Sequence, residues 1–194
     1  MDQTELDSID LCRAGNLQAF DTLYVRHVDA VYKFLFRRTH DRQTAEDLTS
    51  MTFLKALESI RSFNPRRGEL LAWLYRIARN TLIDHYRRFG KEIVDLELIE
   101  NLPADDTVTK QAEQSIDAKA IQTALAHLKP LQRDVVLLRI WEGLSYKEIA
   151  DITGKTEGNC KLMFFRAMAQ LKTVIAIPTL LLLAVSGRAF PSLL

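Results

Sequence analysis

Apolar positions along this chain recur three and four residues apart, the spacing of one side of an α-helix, and rarely alternate as in a half-buried strand. A short helix is expected over Asp7 to Gly15, with Asn16 as a cap for the next helix, which starts at about Leu17. Through Arg38 that helix carries one stripe: Phe20, Leu23, Tyr24, Val28, Val31, Tyr32 and Leu35, with His27 on the same side. Its aromatic residues read as core rather than as a platform for stacking bases. Over Thr44 to Ile60, a third helix packs through Ala45, Leu48, Phe53, Ala56, Leu57 and Ile60. Glu46, Asp47 and Glu58 are left for solvent or for a basic partner. Arg61 to Gly68 reads as a loop because of its Asn-Pro pair and its glycine. Helix resumes from Glu69 to Arg88, packed through Leu70, Trp73, Leu74, Ile77, Ala78 and Leu82. Arg76, Asn80, Asp84 and Arg87 share a neighbouring side, with Arg79 further round toward solvent.

Periodicity stops between Phe89 and about Asp117, and returns with Ala120, Ile121, Ala124, Leu125 and Leu128. Pro130 opens the next helix, since proline is tolerated in a first turn. Leu131, Val135, Leu138 and Trp141 form its core side, and Gly143 ends it. Leu144 to Leu171 then reads as helix, tight turn, helix. Ser145 and Glu148 have the spacing of a capping box. Gly154 falls where the chain must turn, Thr156 is a second cap, and Cys160, Phe164, Ala167 and Leu171 recur at helical spacing. Lys155, Lys161, Arg166 and Lys172 lie around this unit. Two short helices with a glycine turn and basic residues on the second match the unit that lays its second helix in the DNA major groove.

The expected fold class is therefore all-α: two small helical domains joined by an acidic flexible linker, the second containing a helix-turn-helix. Charge sharpens this division. Net charge is only +1, but residues 61–91 hold eight Lys/Arg against two acids, and residues 91–117 hold eight acids against two lysines. A basic block followed by an acidic one suits a nucleic-acid surface and then a segment that DNA avoids. The expected boundaries are 1–90, 91–117, 118–172 and an apolar tail at 173–194. In the tail, Val174 to Val185 is nearly all apolar but is interrupted by Pro178 and is shorter than the roughly 20 residues a spanning helix needs. It is expected to pack on its own protein, on another copy or on a hydrophobic partner.

Chemistry is sparse. Cys12 and Cys160 match no paired zinc spacing, and His27, His40, His85 and His127 are scattered, so no metal and no cofactor is expected. No Ser-His-Asp set or phosphate loop points to an enzyme. With no leader recognisable at its start, the chain is expected in the cytoplasm.

Four stretches, in order and at family-like spacing, resemble the sigma-70 family of bacterial RNA polymerase initiation factors, specifically the small extracytoplasmic-function (ECF) group. They are AFDTLYVRHVDAVYKFL, TAEDLTSMTFLKAL, FNPRRGELLAWLYRIARNTLIDHYRR and LQRDVVLLRIWEGLSYKEIADITGKTEGNCK. The resemblance implies a promoter-specificity subunit that binds core RNA polymerase through its β′ clamp and β subunits, recognises the −10 and −35 promoter elements and promotes strand opening. By position it implies core binding by Glu46, Asp47, Leu48, Ser50 and Met51. It implies −10 recognition by Arg61, Phe63, Asn64, Arg66, Arg67, Arg76, Arg79, Asn80 and Arg87, with a flipped base held near the loop. It implies −35 recognition by Ser145, Lys147, Lys155, Thr156, Glu157, Asn159, Lys161 and Arg166. An anti-sigma protein is a further implied partner. Two departures stand out. Ser50 and Met51 replace a common Gln-Glu, and Asn159 to Met163 replaces a common Thr-Val-Lys-Ser-Arg run. The competing reading is a stand-alone helix-turn-helix regulator of duplex DNA, which leaves the basic block at 61–88 without a role.

Overall fold

A computed structural model describes residues 2–66, 68–88 and 123–185 of the chain. Arg67, the acidic segment 91–117, Ala120, Ile121 and the end of the tail lie outside the described residues. Among the described residues the regular elements are helices and no strand occurs.

Helix α1 (Gln3–Arg13) starts ahead of the expected Asp7 because Asp2 supplies a cap, accepting from the Glu5 N–H at 2.9 Å. Asn16 does not cap the following helix directly. Its side chain accepts from the Gln18 N–H at 3.1 Å within a turn, and Leu17 in that turn is exposed. Helix α2 (Ala19–Thr39) ends at His40, whose φ of 52° closes the helix in the left-handed region while its N–H bonds to the Phe36 carbonyl at 2.8 Å. Helix α3 (Arg42–Ser59) is capped by Asp41, which accepts from Thr44 N–H at 2.7 Å. A 3-10 turn (Ile60–Ser62) leads into the loop, and helix α4 (Leu70–Arg88) follows.

The expected stripes meet one another. Phe20, Leu23, Val31 and Leu35 of α2, Ala45, Leu48, Phe53 and Ala56 of α3, and Leu70, Leu74, Ala78 and Leu82 of α4 are buried in one cluster. Tyr24 departs from its stripe: it is 41% exposed, with its ring edge against Phe53 at 4.8 Å. Thr49 and Thr52 are buried despite being polar. Each hydroxyl bonds back to the carbonyl four residues earlier at 2.7 Å, so neither is left unsatisfied. His27 sits in the stripe as expected, and its Nε2 lies 2.5 Å from the buried Glu5 carboxylate of α1.

The second half opens with a helical turn at 123–126, then α5 (Pro130–Ile140), α6 (Tyr146–Thr153) and α7 (Glu157–Val185). The backbone of α7 runs past the expected end at Leu171 and through Pro178. Helix α5 is buried on two sides. Val136 and Leu137 pack with Ala124, Leu125, Leu128, Ala167 and Leu171, whereas Val135 and Leu138 belong to the same cluster as the core of α2–α4. Trp141, expected in the core, lies just beyond the end of α5 and is 39% exposed, with the Arg37 guanidinium 5.9 Å from its ring.

The two halves are thus in contact, through a polar latch as well as apolar surface. Asp134 of α5 is buried and accepts from Arg38 Nε at 2.7 Å and Arg79 Nε at 2.9 Å. Glu142 accepts from Arg37 at 2.8 Å and from the Tyr75 hydroxyl. Burial, then that bond to Glu142, pushes the Tyr75 hydroxyl well above its usual pKa, so it stays a donor. Each latch carboxylate is shared by two donors, as a buried charge requires.

Candidate nucleic-acid interface

The loop between α3 and α4 forms an open concavity of about 440 Å³ lined by Arg13, Arg61, Ser62, Phe63, Asn64, Pro65 and Arg66. Arg61, Asn64 and Arg66 are exposed there. The Asn64 side chain accepts from Arg66 N–H at 3.0 Å, an Asx turn that sets the loop's shape. Phe63 is different: it is 4% exposed, with its ring 5.3 Å from Trp73. It anchors the loop on α4, and its ring is not presented for stacking. Arg13 donates to the Phe63 carbonyl and so ties the end of α1 to the loop. Its role was hidden in the sequence, where it is merely the basic last residue of a short helix.

On α4, Arg76, Asn80, Asp84 and Arg87 are all exposed, as the spacing requires. Asp84 lies 3.6 Å from Lys55 and 3.9 Å from Arg87, so the ridge keeps a positive balance. Arg79 does not point to solvent as the wheel suggests. Its side chain is 15% exposed and is held by Asp134, a residue 55 positions away that no local pattern links to it. Arg67 lies outside the described residues.

The helix-turn-helix is built as its sequence requires. The Ser145 hydroxyl accepts from the Glu148 N–H at 3.3 Å, and the Glu148 carboxylate accepts from the Ser145 N–H at 2.8 Å. Gly154 turns the chain at φ 67°, and Thr156 accepts from the Asn159 N–H at 3.3 Å. Ile149, Ile152 and Cys160 are buried between α6 and α7. Ser145, Lys147, Lys155, Thr156, Glu157, Asn159, Lys161 and Arg166 are all exposed, at the start of α6, on the turn and on the first turns of α7. Lys161 lies 3.0 Å from Glu157 and 5.7 Å from the Tyr146 ring.

On α3, Asp47, Ser50, Met51 and Glu58 share an exposed side with Leu54, which is 57% exposed. Glu46 is beside them, paired with Arg42 at 2.8 Å. Leu48 faces the opposite way and is 1% exposed, so it supports this surface from inside. Nothing in the sequence singles out Leu54, because an isolated apolar residue outside the stripe carries no periodic signal. Among the described residues no cluster of metal-ligating side chains occurs, and no helix is long and apolar enough to cross a membrane.

A loop pocket on one helical domain and a helix-turn-helix on another, both with exposed basic residues, define a two-part DNA-reading protein. The Sigma-70 region 2 model matches residues 23–92, and the Sigma-70, region 4 model matches residues 118–171. The chain belongs to the sigma-70 family, among the ECF RNA polymerase sigma factors. It is 34% identical over 172 residues to the ECF RNA polymerase sigma factor BldN of Streptomyces coelicolor, covering 88% of this chain and 65% of BldN, just under two thirds of that relative's length. It is 34% identical over 158 residues to the RNA polymerase sigma factor YlaC of Bacillus subtilis, covering 79% of this chain and 90% of YlaC. Among solved structures, the sigma factor RpoE in complex with the anti-sigma factor NepR from Bartonella quintana aligns with a TM-score of 0.67 at 26% identity, covering 83% of this chain and 99% of that one. Sigma factors are promoter-specificity subunits of RNA polymerase, with no catalytic activity of their own, and their class partners are the core enzyme and promoter DNA.

Proposed function

We propose that residues 1–90 bind core RNA polymerase and capture the −10 element as it opens, and that residues 118–172 read the −35 element as duplex. The observation that carries this is the pairing, in one chain, of an exposed basic loop pocket with a capped helix-turn-helix. A base can be read on its full edge only after leaving the stack, and a pocket beside basic residues offers a place for it. Arg61, Asn64 and Arg66 surround that place, and Arg76, Asn80 and Arg87 continue the track along α4. Lys147, Lys155, Lys161 and Arg166 supply phosphate contacts for the upstream duplex, with Ser145, Thr156, Glu157 and Asn159 near the head of the reading helix. Asp47, Ser50, Met51 and Leu54, flanked by Glu46, form the surface offered to core polymerase. The protein works where the polymerase does, in the cytoplasm.

In the arrangement described, Arg79 is held by Asp134 and α4 is partly covered by α6, so the two halves separate when both promoter elements are engaged. Arg79 then becomes available to the −10 strand. The RpoE structure is of a sigma factor with its anti-sigma factor, which supports an anti-sigma partner for this chain as well. The tail at 173–194 serves as an extra docking element. Its deletion should alter regulation or activity in transcription assays, and an unchanged protein would remove it from the account.

The division of labour is tested by Arg76→Ala and Asn80→Ala. Each should lower open-complex formation, read by permanganate reactivity of the melted bases, by about ten-fold or more, equivalent to about 1.4 kcal/mol. Core binding, read by sedimentation or fluorescence anisotropy, should stay within two-fold. Equal loss of both would contradict the assignment.

A further inference from the structure

An α-helix makes a turn in about 3.6 residues, so positions 158, 162, 165 and 169 of α7 share one side. That side is opposite Cys160, Ala167 and Leu171, which are buried against the rest of the domain. Over the first three turns the outward ridge is therefore Gly158, Leu162, Phe165 and Ala169, all four exposed, with Lys172 following on the same side a turn further on. Leu162 is 46% and Phe165 66% exposed, and none of these four residues carries a hydrogen-bonding side chain. Polar residues stand on its flanks, Lys161 on one and Asn159 and Arg166 on the other. The Phe165 ring rests edge-on against Phe164 at 6.2 Å, and Phe164 against Tyr146 at 5.9 Å, so the ridge is held from inside the domain.

A reading helix presents its outward ridge to the base edges of the major groove. Those edges offer donors, acceptors and, on thymine alone, a 5-methyl group. A ridge without donors or acceptors discriminates only through the last. We infer that Leu162 and Phe165 are specificity-determining residues that read thymine methyl groups in the upstream promoter element, while Lys161 and Arg166 hold the flanking phosphates. The inference rests on α6 and α7 being the duplex-reading unit. The flanks argue for DNA over a protein occupant: Arg166 on one side, and on the other Lys161, which can exchange its exposed Glu157 partner at 3.0 Å for a phosphate, match the charge of a backbone along the apolar strip.

The test uses holoenzyme assembled from core polymerase and the full chain. Promoter duplexes randomised across the upstream element are selected for binding, and thymines in the winners are then replaced by deoxyuridine, which lacks only the methyl. The expected result is thymine enrichment at one or more positions, and an affinity loss of about three- to five-fold for each contacted methyl removed. Leu162→Ser and Phe165→Ser, both at exposed positions, should fold normally by circular dichroism and lose the distinction between thymine and uracil. Selected elements indifferent to the methyl would overturn the assignment while leaving the promoter reading standing. So would variants that keep methyl sensitivity but lose self-association or capture of another protein, since the ridge would then be a protein-docking surface. A holoenzyme that selects no duplex would overturn both.

Discussion

His40 occupies the tight link between α2 and α3, where burial, and then the nearby charges of Arg133 and Arg38, lower its pKa from the usual 6.5 to about 4. The folded protein therefore favours the neutral imidazole, while the unfolded chain takes up a proton below about pH 6.5. This contribution to stability is complete above pH 6.5 and is lost as pH falls toward 4. Denaturant melts at pH 7 and pH 5 should differ by on the order of 1–2 kcal/mol from this group. His40→Asn, which also tolerates the left-handed φ, should flatten that slope. A variant with an unchanged slope would place the titration elsewhere. Arg133 is set by the same surroundings. Burial brings its pKa down to about 10, and it donates to the carbonyls of Leu125 and Ala126, both at 2.8 Å, which fixes the preceding helical turn.

At the scale of elements, the helix-turn-helix depends on the left-handed turn at Gly154. A Cβ there would meet nothing within 4 Å, so the penalty for alanine is in the backbone alone. Gly154→Ala should destabilise the domain by about 1–2 kcal/mol, read as a lowered Tm, with Gly154→Asn milder. An unaltered Tm would show that the turn relaxes without needing positive φ. This element was almost wholly legible in the sequence: Ser145, Glu148, Gly154 and Thr156 do locally what their spacing indicates. The three long stripes of α2, α3 and α4 were equally readable because each is a local repeat whose partners are simply the other stripes. The loop was less so. Phe63 sits in a basic, polar stretch, and only its contact with Trp73, ten residues on, shows that it is an anchor.

The whole molecule holds what periodicity passes over. Arg38 and Asp134, 96 residues apart, carry no local signal of burial, yet both are buried and bonded to each other. Glu142 is likewise bonded across the interface, to the partly exposed Arg37 and to the buried Tyr75 hydroxyl. Pairs of this kind are invisible in a single sequence, since their meaning exists only once the halves dock. Removing Asp134 leaves the buried Arg38 and the largely covered Arg79 without the carboxylate they share, which is strongly unfavourable, on the order of 3–5 kcal/mol when one partner of a buried pair is lost. Asp134→Asn should therefore shift the chain toward separated halves. A larger radius of gyration by small-angle scattering is the expected reading, and an unchanged radius would mean that apolar contacts alone hold the interface.

One chain gives RNA polymerase its choice of promoter. The most direct test of this is transcription in vitro, with core polymerase challenged by genomic promoter fragments in the presence and absence of the purified protein. Transcripts should start at defined sites only when the protein is present, with initiation weakened by Arg76→Ala. Tight duplex binding without polymerase, together with no promoter-specific transcript when core enzyme is added, would contradict it.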